Sequence, residues 1–307
     1  MTRRITDTAL VLKIDCEYYN ETMKLELLKV MKWFDANMML LNVDKTKYIY
    51  FGPCFNSIKA LHNVIPDYAY KSTLSVKDDY IEEDNEVKYL GIIFDNELGF
   101  CKEIKSRSMK INRIVGILWR CRDLPLEAKL TIYHSMAASH LNYGILVWGG
   151  QLALNLVGKF SLDHIPKSLS CINVAHNKCI RAITCSKRYN KDTKKVTHTA
   201  PLLKRLKQLS LNDIYYLNLA LFAYDCIIAG TLPSIYNNYL TNIDNTYNTR
   251  ACQDDVVTPS VRLDATYNSI KIASSYMWNL IPTDIRQTNF SKNVFKSKVK
   301  SWLISKY

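Results

Sequence analysis

The sequence predicts an α+β fold in which the strands come first and the helices follow. Three observations carry this. Runs rich in β-formers fall before residue 100, at 8–13, 47–51 and 87–94. After Gly99, apolar residues recur at helical spacing instead. The two kinds of element are thus segregated along the chain, which is the α+β plan and not the alternating α/β one.

The opening run TALVLK at 8–13 is short and β-prone. It starts the chain on a core-like strand, so we expect its pairing partners upstream. Residues 17–37 follow as a helix, with Met23, Leu27, Val30 and Phe34 on an apolar face. Leu25 and Leu28 fit that spacing only loosely. Asn37 is placed to stop the helix. The run KYIYF at 47–51 is a strand candidate that ends at Gly52-Pro53. Glu82, Glu83, Asp84 and Glu86 make an acidic loop before the run VKYLGIIF at 87–94. We expect that run to be one strand, with Gly91 inside it as a bulge or a point of close backbone approach.

The helical part begins near Lys102 and its first helix runs to 122. Ile104, Ile111, Val115 and Leu118 share one face of a helical wheel. Lys102, Arg113 and Arg120 line the opposite face, flanked by Lys105 and Lys110. Pro125 suits the first position of the next helix, which spans 126–141. An apolar stretch continues to Trp148 and ends at Gly149-Gly150. Residues 166–185 form another helix, followed by a basic loop with Lys187, Arg188, Lys191, Lys194 and Lys195. Residues 202–228 divide into two helices at Ser210, where Asp213 stands at the third helical position of a capping box. Residues 241–258 are polar and loop-like, and a basic helix over 291–306 closes the chain.

The 307 residues carry a net charge of +13, and nearly half are apolar. A large core can be buried, and the charge favours an anionic partner, nucleic acid above all. Nine cysteines are scattered with no C-x-x-C pair. Cys171, Cys179 and Cys185, with His176 between the first two, are the nearest approach to a zinc knuckle, but no closely spaced ligand pair anchors them. Buried thiols in a reducing compartment account for them better. No apolar run approaches the roughly 20 residues of a membrane span. The apolar run near the N-terminus is broken by Lys13 and Asp15, so no signal peptide is expected. Cytosol or nucleus is the expected compartment.

Four stretches, in order, resemble the reverse transcriptases of non-LTR (LINE-type, jockey-like) retrotransposons. The first is TDTALVL at 6–12. The second joins WFDAN at 33–37, LNVDKT at 41–46 and YIYFG at 48–52. The third is VKYLGIIFD at 87–95, with Lys110-Ile111, Ile132-Tyr133, His140 to Gly144 and Trp148-Gly149 after it. The fourth is YNTR at 247–250, Pro259, Arg262 and WNLIP at 278–282. The resemblance implies the C-terminal portion of a polymerase: the end of the palm over 1–100, a helical thumb over 101–195, and a helical C-terminal extension over 196–307.

It also implies what chemistry to look for. Template-directed polymerisation uses two metal ions held by carboxylates, Mg²⁺ in the intact enzyme. The family's aromatic-Ala-Asp-Asp turn matches Arg4, Ile5, Thr6 and Asp7. Thr6 replaces an aspartate, and a neutral hydroxyl is a poor ligand for a hard cation. Asp7 is the remnant catalytic and metal-binding carboxylate of an incomplete site, so no productive cofactor is expected here. No stretch of these residues resembles the upstream aspartate strand or the fingers. Lys45 matches a lysine near the nucleotide phosphates, though without nucleotide it would be a surface charge. Tyr89, Leu90 and Gly91 match the primer grip; an ordinary strand with a bulge is the alternative. Lys102, Lys105, Lys110, Arg113 and Arg120, and the cluster of Arg181, Lys187 and Arg188, are candidates for phosphate contacts. Trp119 and Tyr189 could stack on bases. The expected partners are RNA template and DNA primer, or their hybrid duplex. The alternative is a non-catalytic nucleic-acid-binding remnant or domesticated module.

Overall fold

Helices account for most of the described residues, and the strands among them are short and gathered mainly before residue 100. The fold is therefore α+β. The computed structural model describes residues 9–12, 19–39, 42, 45–51, 74–76, 79–190, 195–236, 239–241, 255–262, 264–286 and 290–306. The chain divides into two units, Met1–Glu103 and Ile104–Tyr307.

In the first unit, α1 (Tyr19–Ala36) presents Met23, Leu27 and Met31 to a small core built on Tyr48 and Ile81. Those three residues are four apart, so they stack on one face of the helix. Leu25 and Leu28 are exposed, as their poor fit to that spacing implies. The helix stops where Asn37 turns its amide back to the Trp33 carbonyl at 2.7 Å and Met38 enters the left-handed region at φ 53°.

Three short strands order as β1-β3-β2: β1 (Lys47–Tyr48) runs parallel to β3 (Asp79–Glu83), and β2 (Leu74–Val76) antiparallel to it. The expected strand at 47–51 is thus only two residues long. Of the expected opening strand, residues 9–12 carry no strand pairing; Leu10 and Val11 are exposed.

The run at 87–94 is not one strand. It is a hairpin of β4 (Glu86–Tyr89) and β5 (Ile92–Asp95), with Tyr89 opposite Ile92. Leu90 and Gly91 have φ of 46° and 81°. Positive φ at both central residues is the tight turn whose twist matches paired strands. Gly91 therefore serves a turn and not a bulge. Asp95 fastens the exit, accepting from the Gly99 amide at 2.7 Å, and Phe94 packs edge-on against Phe100.

Among the described residues the second unit is mainly helical, with one two-residue strand pair, β6 (Tyr189–Asn190) with β7 (Lys195–Val196). Its long helix α2 (Cys101–Arg120) begins in the last residues of the first unit and buries Ile104, Ile111, Ile114, Val115 and Leu118. Next, α3 (Leu126–Ile132) starts at the expected residue, with Pro125 as its cap and not its first helical residue. It continues through a π-helical segment, Tyr133–Ala138, into α4 (Ser139–Asn142). Gly144 at φ 65° ends that rod and starts α5 (Ile145–Trp148). A Cβ at Gly149 would come within 2.5 Å of the Ile145 carbonyl oxygen, so only glycine fits after Trp148. A short helix, α6 (Ala153–Leu156), precedes α7 (Ser170–Thr184), which ends on Cys185 at φ 53°.

After α8 (Ala200–Leu206) comes α9 (Leu211–Tyr224), capped by Ser210 as the sequence led us to expect. This helix is buried almost all round, as a helix apolar on every side must be. A short α10 (Asp264–Tyr267), then α11 (Ile270–Leu280) and α12 (Lys292–Ser305), complete the unit. Trp278, Phe295 and Tyr224 form a buried aromatic stack among α9, α11 and α12.

Candidate nucleic-acid interface

The two faces of α2 differ sharply. Its apolar line packs inward, and the opposite side exposes Lys105, Lys110, Arg113 and Arg120 to solvent. Met109 and Trp119 are exposed on or beside that basic face, and Gly116 lies on it. The helix's one carboxylate, Glu103, is buried and accepts from the Ile93 amide at 3.0 Å. No acidic side chain of α2 therefore neutralises the outward cations. Lys102, at the N-terminal end, is exposed but pairs with Glu86 at 2.5 Å.

Arg107 was missed in the sequence. It is buried, donates to the His140 carbonyl at 2.7 Å, and lies over the rings of Tyr143 and Trp148 at 5.4 and 5.5 Å. Its position between Ile104 and Ile111 on the apolar side of the wheel was the available signal. A planar guanidinium stacks on aromatic faces with part of its water removed.

A second group of cations lies around the end of α7. Arg181 is half-buried and donates to the Thr197 carbonyl at 2.8 Å. Burial, with Arg188 adding like charge, lowers its pKa. Lys187 and Arg188 are exposed, as is Tyr189. The Arg188 carbonyl accepts from the Thr197 amide at 2.9 Å, so Thr197 ties both arginines to one strand pair. Lys204, Arg205 and Lys207 are exposed along and just after α8.

The hairpin tip offers an exposed Leu90 and Gly91 beside a half-buried Tyr89. Lys45 is exposed, its backbone amide accepted by the Asn42 side chain at 3.3 Å. Asp7, with Thr6, lies outside the described residues.

The Cys171, His176, Cys179 and Cys185 cluster does not assemble. Cys171 and Cys185 are exposed while Cys179 and His176 are buried, and the His176 Nε2 atom is 2.9 Å from the Tyr133 hydroxyl. Exposure of two of the thiols departs from the expectation that all were buried. Among the described residues no group of three or more His, Cys, Asp or Glu side chains could hold a metal ion. Among them, too, no helix is long and apolar enough to cross a membrane.

Against known proteins, the chain is 25% identical over 165 residues to a probable RNA-directed DNA polymerase from transposon BS of Drosophila melanogaster. That similarity supports a reverse-transcriptase relationship. The match takes in 52% of this chain and 16% of the longer protein. No family model matches the chain. No solved structure matches it.

Proposed function

We propose that this chain is the C-terminal part of a LINE-type RNA-directed DNA polymerase and that it holds primer–template. In this reading the first unit is the end of the palm and the second unit supplies a thumb and a C-terminal extension. The observation that carries it is the outward face of α2: Lys105, Lys110, Arg113 and Arg120 on one rigid helix, with no acidic partner of its own. Such an array suits a polyanion whose charges repeat along a rod. The similarity to a transposon polymerase supports reading the anion as nucleic acid. The hairpin tip at Leu90-Gly91 is the part that would approach the primer end, because its two left-handed residues project a narrow turn. Mg²⁺ is the cation the parent enzyme would use.

The chain by itself is a holder and not a catalyst. Thr6 stands where the motif needs an aspartate, and Asp7 alone does not make a two-metal site. That substitution also favours a second reading, a non-catalytic nucleic-acid-binding module.

Fluorescence anisotropy of a labelled RNA–DNA hybrid with the purified chain tests the binding that both readings share. Affinity that falls steeply with salt is expected; no binding at low salt would refute it. Primer extension with Mg²⁺ tests the inactive state, which template-dependent synthesis would overturn.

A further inference from the structure

The basic face of α2 contains one residue that the helix itself does not favour. Gly116 lies in the interior of this 20-residue helix, where glycine is less favourable than alanine. Nothing among the described residues requires it. Its φ is not in the left-handed region, and a Cβ built there meets no atom within 4 Å. The residue is exposed. This contrasts with Gly149, where a Cβ would collide with backbone.

Its neighbours explain it better. On a helix, residues three and four away share a surface. For Gly116 these are Asn112 and Arg113 toward the N-terminus, and Trp119 and Arg120 toward the C-terminus. All four are exposed. The missing side chain leaves a shallow notch in the helix surface, flanked by two arginines and an indole. Arginine pairs with phosphate through a planar fork, and indole stacks on a base or ribose; the Asn112 amide instead donates back to the Ser108 carbonyl at 2.9 Å.

We propose that Gly116 is the point of closest approach of α2 to a nucleic-acid strand. The sugar–phosphate backbone crosses the notch there, Arg113 and Arg120 hold successive phosphates, and Trp119 packs against the strand. This inference rests on the nucleic-acid-holding reading and deepens it by naming where the backbone lies.

The test uses the full chain, an RNA–DNA hybrid as probe, and thermal unfolding of each variant. Gly116→Ala is expected to raise the melting temperature, because alanine favours the helix, yet to weaken binding several-fold. Gly116→Leu should weaken binding by about tenfold or more without lowering the melting temperature. Val174→Leu adds apolar bulk to an exposed position on α7 and should leave binding unchanged. Weaker binding in a more stable Gly116→Ala protein cannot come from misfolding. If both Gly116 variants bind like the parent while Arg113→Ala and Arg120→Ala lose affinity, the close approach is refuted and the nucleic-acid reading stands. If none of the four variants changes affinity, both are refuted.

Discussion

The Tyr133 hydroxyl lies 2.9 Å from His176 Nε2, and both side chains are sealed from solvent. The pair bridges the π-helical segment and α7, with the rings stacked 6.0 Å apart. Burial holds the imidazole neutral and lowers its pKa to about 4. The unfolded chain therefore binds the proton first, near the ordinary value of about 6.5. Stability from this site is complete above that pH and is lost as the pH falls toward 4, by roughly 3 kcal/mol in all. His134 and His140 are also lowered, each by burial first, so they add with the same sign. Urea midpoints measured between pH 7 and 4.5 should fall for the parent chain. They should fall less for His176→Leu, which would also start lower because Tyr133 loses its partner. Parallel curves would refute the assignment.

Ser210 begins α9 by two contacts with one residue. Its hydroxyl accepts from the Asp213 amide at 3.2 Å and donates to the Asp213 carboxylate at 2.5 Å. Ser210→Ala removes both and should cost about 1 kcal/mol. The cost matters more here than at a surface helix, because α9 is the buried axis of the second unit. A melting temperature unchanged by Ser210→Ala would show that packing alone sets the start of the helix.

Ser210 was legible in the sequence because a cap is a local arrangement: a hydroxyl, an acidic residue at the third helical position, and an apolar run. The inward line of α2 was legible for a similar reason, since 3.6-residue periodicity is written into one segment. Leu90 was not. Leucine rarely takes positive φ, so the run at 87–94 matched a continuous strand and its β-rich composition concealed the turn. Arg107 was hidden by its residue type: charge suggested solvent, while its place on the wheel said core. What decided it was the pair of aromatic rings brought over from Tyr143 and Trp148, a tertiary fact. Spacing alone argued against a zinc knuckle, but it could not reveal that His176 faces Tyr133.

Leu90 stores strain at the hairpin tip. A left-handed leucine costs about 1–2 kcal/mol against a residue that tolerates that region. Leu90→Asn should relieve most of it, since Asn-Gly is the pair this turn prefers. Amide exchange in β4 and β5 would then slow by roughly fivefold. Leu90→Val, β-branched and worse at positive φ, should speed it. Equal exchange in the three proteins would mean that the hairpin opens independently of its turn. Should the tip meet a primer end, as proposed above, Leu90→Asn would also weaken hybrid binding while stabilising the fold.

Two arginines six residues apart on α2 should behave as opposites. Arg113 faces solvent on the basic side, whereas Arg107 is buried against Tyr143, Trp148 and the His140 carbonyl. Arg113→Ala should leave the stability within about 0.5 kcal/mol of the parent. It should make the dependence of log affinity on log salt shallower by roughly one, the signature of one lost phosphate contact. Adding Arg120→Ala should remove a second unit of slope. Arg107→Ala should instead destabilise by about 3 kcal/mol, because it empties a packed site and takes away the donor to the His140 carbonyl. Its salt slope, measured below its melting temperature, should match the parent's. Stability and salt dependence thus separate the buried arginine from the exposed ones. If Arg113→Ala lowered stability and kept the slope, the outward face of α2 would be a structural surface and not a phosphate track.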